Sequence, residues 1–262
     1  MKRLLITGAA GFIGSRAIQP AIDAGYEVHP VTRQEADLVD ADATARLLDE
    51  IRPTHLLHFA WFVAPGEYWT SPMNDAWAEA SARLFRQFAE RGGQRLMGIG
   101  TSAEQAALDT PYGRAKLRTH EAAMSAGVSA AWGRLYIVYG PGEPRERFIP
   151  TMIRTLLHGG TAACSPADAQ RDFIHVADAA AAAVAILDSE VEGALDIGSG
   201  EAIRLRDVVS ILTGELGHAE RITLVEGTSA PVVADVMRLR DEVGFRPRFT
   251  LVDGLRDAIA NG

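Results

Sequence analysis

At 262 residues the chain can bury a large hydrophobic core, and its 47% apolar and 23% charged residues are typical of a globular protein. Its formal net charge of -8 argues against nucleic acid as a partner, because binding to a phosphate backbone requires a basic surface. No uninterrupted apolar stretch reaches the roughly 18 residues of a membrane span. The first apolar run is too short for a signal peptide, so we expect a cytoplasmic protein. The single Cys164 predicts neither a disulfide nor a structural metal site, and we expect it to be inert.

Short apolar runs alternate with longer amphipathic stretches over the first 140 residues, as in a parallel sheet that helices cover on both faces. The predicted strands cover residues 3–7, 27–32, 55–60, 95–101 and 130–139. The predicted helices begin near Gly11 and cover 42–51, 74–91 and 111–126. Pro20 should kink or shorten the first of these helices. The predicted fold class is therefore α/β, with a doubly wound parallel sheet.

A glycine- and proline-rich segment at residues 140–144 (GPGEP) interrupts this alternation, and the later elements are shorter and less regular. We therefore expect the chain to form a second, smaller lobe. In the expected division, residues 1–140 and 172–198 form a dinucleotide-binding domain. Residues 141–171 and 199–262 form a smaller, C-terminal substrate-binding lobe.

Three glycines, Gly8, Gly11 and Gly14, follow the first predicted strand and open the first helix. Glycines at this spacing allow a tight turn and let a pyrophosphate approach the backbone N–H groups at the start of the helix. The alternative is an ordinary turn between a strand and a helix. We predict a dinucleotide site at this loop, with Phe12 and Ile13 among the residues that contact the cofactor.

The second predicted strand ends in Thr32-Arg33, where an NAD site usually carries an acidic residue for the ribose hydroxyls. A guanidinium at this position suits the 2'-phosphate of NADP better, so NADP is predicted and NAD is the alternative. Glu35 is close enough in sequence to serve as the acid of an NAD site, and Arg33 would then be an ordinary surface residue. Asp37 and Leu38 are candidates for contact with the adenine edge, unless they form only the turn before the next helix.

The dipeptide Thr110-Pro111 predicts the start of a helix that carries Tyr112 and Lys116 on one face, four residues apart. A tyrosine with the usual pKa near 10 is a poor acid at neutral pH, but a neighbouring ammonium group lowers that pKa. Lys116 can also hold the nicotinamide ribose. Ser102, at the end of the fourth predicted strand, is the candidate for contact with the substrate oxygen.

Four separate motifs occur in the order typical of one family, at residues 7–14 (TGAAGFIG), 111–116 (PYGRAK), 134–142 (RLYIVYGPG) and 171–178 (RDFIHVAD). Together they resemble the extended short-chain dehydrogenase/reductase family, in its group of NAD(P)-dependent nucleotide-sugar epimerases, dehydratases and reductases. The resemblance extends over nearly the whole chain and implies a Rossmann-type fold. It implies a catalytic triad of Ser102, Tyr112 and Lys116. It further implies a homodimer formed through helices 74–91 and 111–126, and cofactor contacts from Phe59, Ala60 and Trp61.

Within this family, residues 57–61 (LHFAW), Pro65, residues 68–69 (YW) and residues 100–104 (GTSAE) most resemble 4-ketoreductases of nucleotide-linked 6-deoxyhexoses. The implied reaction is NADPH-dependent reduction of a keto group, with the proton coming from Tyr112. Glu104 would face the sugar, or else lie on a solvated loop. The implied residues for the diphosphate are Arg171 and, as a second candidate, Arg147, unless they only form surface salt bridges. The aromatic residues at 61, 68, 69 and 77 would line the sugar side of the site or serve only in packing.

Three features depart from the family pattern around the substrate. Ile137 stands where members commonly have asparagine, only nine residues separate Ser102 from Tyr112, and residues 227–231 contain no arginine. These departures leave open a smaller or differently activated carbonyl substrate. The alternatives to a reductase are an epimerase that retains NAD and a non-catalytic NADP-binding protein. A dehydratase is less favoured, because Glu104 is the only acidic residue that closely follows Ser102.

Overall fold

A central parallel sheet forms the middle layer of the protein in the computed structural model, which describes residues 2–64 and 66–262. Its six strands are β1 (Arg3–Thr7), β2 (Glu27–Val31), β3 (His55–His58), β4 (Arg95–Thr101), β5 (Ser129–Leu135) and β10 (Gly193–Ile197). They lie side by side in the order β10-β5-β4-β3-β1-β2, and every neighbouring pair is parallel. The predicted doubly wound α/β fold is confirmed.

Helices cover both faces of this sheet because the central strands are apolar on both sides. Leu4 and Ile6 pack in one hydrophobic cluster, while Leu5, between them, packs in another. The first cluster is closed by α1 (Gly14–Asp23) and α7 (Val176–Asp188). The second is closed by α2 (Ala41–Ile51), α3 (Met73–Glu90) and α5 (Pro111–Met124). Two separate apolar layers therefore hold the sheet.

The single strand predicted at residues 130–139 is wrong, because the chain leaves the central sheet at Tyr136. It continues as β6 (Ile137–Tyr139), which pairs in parallel with β9 (Phe173–His175) in a separate two-stranded sheet. β10 was not among the predicted strands. The proline at position 20 does not end α1, which continues to Asp23.

Most of the remaining elements pack around a third hydrophobic cluster, in which Cys164 is fully buried, whereas α9 packs against the first cluster through Leu239. The remaining elements are α6 (Phe148–His158), β7 (Ala162–Cys164), β8 (Gln170–Arg171), β11 (Ile203–Arg204), α8 (Leu205–Leu216), β12 (Ile222–Leu224), α9 (Met237–Asp241) and α10 (Leu251–Asn261). The division into two domains at residues 140, 171 and 198 stays a prediction.

No helix in the described residues is long and apolar enough to span a membrane. The homodimer and the cytoplasmic location stay predictions.

Candidate functional site

A cleft of about 910 Å³ runs along the carboxyl ends of the parallel strands, where doubly wound folds bind their ligands. Thr7, Val31, Thr101 and Leu135 mark the strand ends that line it. All of the predicted site residues line this cleft except Asp37 and Glu104. Those that line it are Gly8, Gly11, Phe12, Ile13, Gly14, Arg33, Leu38, Phe59, Ala60, Trp61, Ser102, Tyr112, Lys116, Arg147 and Arg171.

The glycine loop at one end of the cleft is so tight that a side chain would not fit at Gly8 or at Gly14. Gly8 has a φ of +71°, and a Cβ placed on it would lie 2.7 Å from the backbone nitrogen of Ala60. A Cβ on Gly14 would overlap the carbonyl oxygen of Gly8. Helix α1 follows at once, with Ile13 at its N-cap, so its first backbone N–H groups have no side-chain acceptor there. This cradle fits the pyrophosphate of a dinucleotide.

At the tip of β2, the side chains of Arg33 and Glu35 take different directions. Arg33 lines the cleft, and its guanidinium lies 3.3 Å from the carboxylate of Asp37. Glu35 turns back to the strand, where its Oε2 accepts hydrogen bonds of 2.8 Å from both the backbone and the hydroxyl of Thr32. These hydrogen bonds hold the pKa of Glu35 below its usual value. Arg33 therefore places a positive charge at this edge of the cleft, and Asp37 is its ionic partner.

Helix α5 begins as predicted and carries Tyr112 into the cleft. The Thr110 side chain caps the helix by accepting a hydrogen bond of 3.0 Å from the Gly113 nitrogen. Burial raises the pKa of Tyr112 above its usual value, while the side chain of Thr101 acts in the opposite direction. Thr101 was not among the predicted site residues, although its position beside Ser102, at the end of the same strand, could have indicated it.

Lys116 is buried beneath the cleft, one helical turn after Tyr112, and only 5% of it is exposed. Its Nζ donates a hydrogen bond of 2.8 Å to the carbonyl oxygen of Ile99 and lies 3.9 Å from the ring centre of Trp61. The aromatic face and the carbonyl both favour the charged ammonium. Burial nevertheless lowers the pKa of Lys116 to about 7, against the influence of Glu104.

Aromatic side chains surround Tyr112 in the cleft. The Tyr112 ring meets those of Tyr68, Trp69 and Trp61 edge-on, with ring centres 5.0, 5.4 and 6.5 Å apart. Asn74 accepts a hydrogen bond of 3.1 Å from the Trp61 indole, and its amide donates to the Tyr68 carbonyl. The four predicted aromatic residues, at positions 61, 68, 69 and 77, therefore both line the cleft and pack against one another. Residue 65 lies outside the described residues.

The two arginines predicted for the substrate differ in how their donors are used. Arg171 donates to the Gln170 and Ala230 carbonyl oxygens and to the Ser229 hydroxyl, over 2.7 to 3.2 Å. The Nε atom of Arg147 lies 3.2 Å from the carboxylate of Glu143. In the described part of the chain, no hydrogen bond joins the Nη atoms of Arg147 to another residue. Arg147 therefore keeps donors for a ligand.

Glu143, which the sequence did not suggest as a site residue, holds Arg147 from inside the protein. Only 2% of its side chain is exposed, and burial raises its pKa to about 7. Arg147 lines the same cleft as Tyr68 and Tyr112, and its charge opposes the burial that raises the pKa of both phenols. Ile137 also lines the cleft, where the family pattern has asparagine.

The prediction that Glu104 faces the sugar is wrong, as is the alternative of a solvated loop. The carboxylate points behind β4, and only 4% of the residue is exposed. It accepts hydrogen bonds from the Trp132 indole at 3.0 and 2.9 Å and from the Thr101 nitrogen at 2.8 Å. The hydrogen bonds from the Trp132 indole, in the neighbouring strand β5, hold the carboxylate outside the cleft.

Comparisons with known proteins identify the family of the chain. Residues 4–198 match the NAD dependent epimerase/dehydratase family. The UDP-glucose 4-epimerase of Corynebacterium glutamicum is 26% identical over 302 residues, covering 95% of this chain and 92% of that protein. The dTDP-6-deoxy-L-talose 4-dehydrogenase (NAD(P)(+)) of Kitasatospora kifunensis is 32% identical over 179 residues, covering 61% of this chain and 56% of that protein.

Among solved structures, that of RMD from Pseudomonas aeruginosa, in complex with NADPH, superimposes with a TM-score of 0.85. It is 21% identical, and the match covers 100% of this chain and 99% of that one. This likeness supports the fold, and the family match extends through the glycine loop, Tyr112 and Lys116. The chain belongs to the NAD dependent epimerase/dehydratase family, an NAD(P)-dependent group of the extended short-chain dehydrogenases/reductases.

Proposed function

We propose that the protein is an NADPH-dependent reductase of a keto group on a nucleotide-linked sugar, of the 4-keto-6-deoxyhexose type. The observation that carries this proposal is that Ser102, Tyr112 and Lys116 line the same cleft as the tight glycine loop. The 4-dehydrogenase from Kitasatospora kifunensis, named for a dTDP-6-deoxy sugar, supports the choice of substrate class. A dehydratase would need an acidic side chain in the cleft. Glu104 turns away from it, and among the described residues after Ser102 no other aspartate or glutamate lines the cleft.

The side chains at the cleft divide the work of a carbonyl reduction. Ser102 donates a hydrogen bond to the carbonyl oxygen and polarises it. Tyr112 transfers its hydroxyl proton to that oxygen, so that the product is an alcohol. Lys116 holds the nicotinamide ribose and favours the ionised state of Tyr112 after proton transfer. NADPH, when bound, supplies the hydride.

The substrate-binding part of the proposal rests on Arg147 and Arg171. Arg147 presents unpaired Nη donors near Tyr112 and suits an anionic oxygen of the nucleotide diphosphate. Arg171 is held by protein acceptors and would contribute its charge. Trp61, Tyr68 and Trp69 offer apolar faces to the sugar ring, which suits a deoxy sugar because fewer of its hydroxyl groups would be buried without partners.

The direct test is to mix the purified protein with NADPH and a 4-keto-6-deoxy nucleotide sugar and to follow the loss of NADPH absorbance. We expect stoichiometric oxidation of NADPH and formation of the alcohol. An epimerase is the second candidate, supported by the Corynebacterium glutamicum relative that aligns with 95% of this chain. Interconversion of two nucleotide sugars without net consumption of NADPH would select the epimerase.

The preference for NADPH should depend on Arg33. We expect replacement of Arg33 with Ser to lower the ratio of NADPH to NADH affinity by about tenfold, because a hydrogen bond to a charged group contributes roughly 1.5 kcal/mol at an exposed site. Affinities are measured by titration of protein fluorescence. Arg46→Ser is the matched control, since Arg46 is an exposed arginine on α2 that does not line the cleft. An unchanged ratio of NADPH to NADH affinity in the Arg33 variant would mean that another residue determines the selectivity.

Reductase activity should decline as the pH rises above neutrality. Lys116 acts in its protonated form, and its pKa of about 7 lies far below the usual lysine value. The protonated fraction is therefore full below about pH 6 and is lost as the pH rises through 7 to 8. The test is kcat/KM measured from about pH 5.5 to 9. A profile that stays flat to the alkaline end would contradict the assigned role of Lys116.

A further inference from the structure

Glu104 is a buried carboxylate that the proposed reaction does not use. It lies at the start of the short helix α4 (Ala103–Ala106), two residues after Ser102, and its side chain is only 2% exposed. A carboxylate in such surroundings is costly unless hydrogen bonds compensate for the lost water. Here the Trp132 indole and the Thr101 backbone nitrogen provide them.

Two glycines of β4 make the space in which this carboxylate lies. A Cβ on Gly98 would overlap the ring of Trp132, and a Cβ on Gly100 would overlap both the indole nitrogen and the Glu104 carboxylate. Trp132 itself is fully buried, and the ring of His120 stacks on it with centres 5.5 Å apart. Because both positions are glycines, the carboxylate and the indole can occupy the space that two side chains of β4 would otherwise fill.

Glu104 reaches the proton-transfer residues by two routes. It accepts a hydrogen bond from the backbone nitrogen of Thr101, which precedes Ser102 at the end of β4 and lines the same cleft as Tyr112. Lys116 donates to the carbonyl oxygen of Ile99, two residues before Thr101 in the same strand, and the charge of Glu104 raises the pKa of Lys116 against the effect of burial. One route fixes geometry and the other fixes charge.

The other charged or titratable groups around this pair do not supply a competing negative charge. Burial holds the pKa of His58 at about 3, so this histidine is neutral, and burial also lowers the pKa of His120. Arg134 is paired with Asp196 at 2.7 Å. Burial raises the pKa of Glu104 itself, while the hydrogen bonds from Thr101 and Trp132 and the charge of Lys116 act against that rise and favour the carboxylate.

We propose that Glu104 is a positioning residue for the proton-transfer step, which holds the Thr101-Ser102 turn at the end of β4 and places a carboxylate near the Lys116 ammonium. This role rests on the proposed function of Tyr112 and Lys116 as the acid and its partner. It explains why a carboxylate occurs two residues after Ser102 and yet lies outside the cleft.

The test is the variant Glu104→Gln, which keeps the size of the side chain and an acceptor for the Thr101 nitrogen but removes the charge. Without that charge the pKa values of Lys116 and Tyr112 both fall, so the alkaline limb of the kcat/KM profile should move about one pH unit lower. In Glu104→Asp, which keeps the charge, the limb should stay at the wild-type pH while kcat falls. An unmoved limb in Glu104→Gln, or an equal loss of rate at every pH, would overturn the proposal.

Two further measurements keep the test decisive. If Glu104→Gln does not fold, Trp132→Phe removes the indole donor, disfavours the charged carboxylate, and should move the limb in the same direction by a smaller amount. The pH dependence of NADPH affinity should show the same shift, because the proposed function assigns Lys116 to the nicotinamide ribose. This second readout needs no sugar, so it separates a wrong substrate from a wrong role for Glu104.

The matched control is Asp178→Asn, another fully buried carboxylate, which accepts hydrogen bonds from the Arg248 and Phe249 nitrogens. This variant should lose thermal stability without any movement of the alkaline limb. An equal movement in Asp178→Asn would show a general effect of buried charge and would overturn the assignment to Glu104.

Discussion

Replacement of Tyr112 with Phe should lower the rate of NADPH oxidation by at least about 100-fold, the usual contribution of a positioned general acid. The substitution removes only the hydroxyl group. The phenyl ring would still meet Tyr68 and Trp69 edge-on, so the aromatic wall of the cleft and the affinity for NADPH should be preserved. The measurements are kcat with a keto sugar and, separately, NADPH affinity by fluorescence titration.

Tyr68→Phe is the matched control for this experiment, since Tyr68 lies 5.0 Å from Tyr112 between ring centres and lines the same cleft. Its hydroxyl is not assigned a proton-transfer role, so we expect a loss below about tenfold. If Tyr112→Phe retained wild-type turnover, the assignment of Tyr112 as the acid would be wrong. Equal losses in both variants would instead indicate that the two phenols share the step.

The layered fold could be predicted from the sequence because it follows from local patterns. Leu4, Leu5 and Ile6 are all apolar, as expected of a strand that is covered on both faces, and they are followed at once by the glycine loop. The start of α5 could be predicted in the same way, because a threonine cap followed by proline is a local signal that does not depend on tertiary packing.

The features that could not be predicted depend on residues far apart in the sequence. Glu104 turns behind β4 because Trp132 lies in the neighbouring strand, 28 positions later. The split of the strand at Tyr136 depends on a new pairing partner, β9, which begins at Phe173. In both cases the sequence near the residue permitted either outcome, and tertiary packing decided between them.

The two arginines illustrate the same limit at the substrate site. From the sequence, Arg171 was the first candidate for the diphosphate, since it stands in the matching motif. Its donors are held by Ser229 and Ala230, residues in a segment with no regular pattern. Arg147 is oriented by Glu143, four residues earlier in the segment before α6, but the burial of that carboxylate comes from tertiary packing. Availability of donors is therefore a structural property that motif matching does not report.

Replacement of Gly14 with Ala should reduce NADPH affinity by at least about 100-fold, the equivalent of two lost charge-assisted hydrogen bonds at roughly 1.5 kcal/mol each. A Cβ at this position would overlap the Gly8 carbonyl oxygen and lie 3.3 Å from the Ala9 Cα. Gly8 has no room to retreat, because the space beside it is filled by Ala60. The turn must open, and the N–H groups at the start of α1 then lose their common direction.

The control for this prediction is Gly214→Ala, a glycine in α8 whose added Cβ would meet no atom within 4 Å. It should keep wild-type NADPH affinity and gain up to about 1 kcal/mol of helix stability. Fluorescence titration gives the affinities, and thermal unfolding shows whether each variant is folded. Wild-type affinity in Gly14→Ala would mean that the cofactor phosphates do not depend on this turn. Because Arg33, Lys116 and Tyr112 take their roles from a dinucleotide held there, that result would remove the basis of all three assignments.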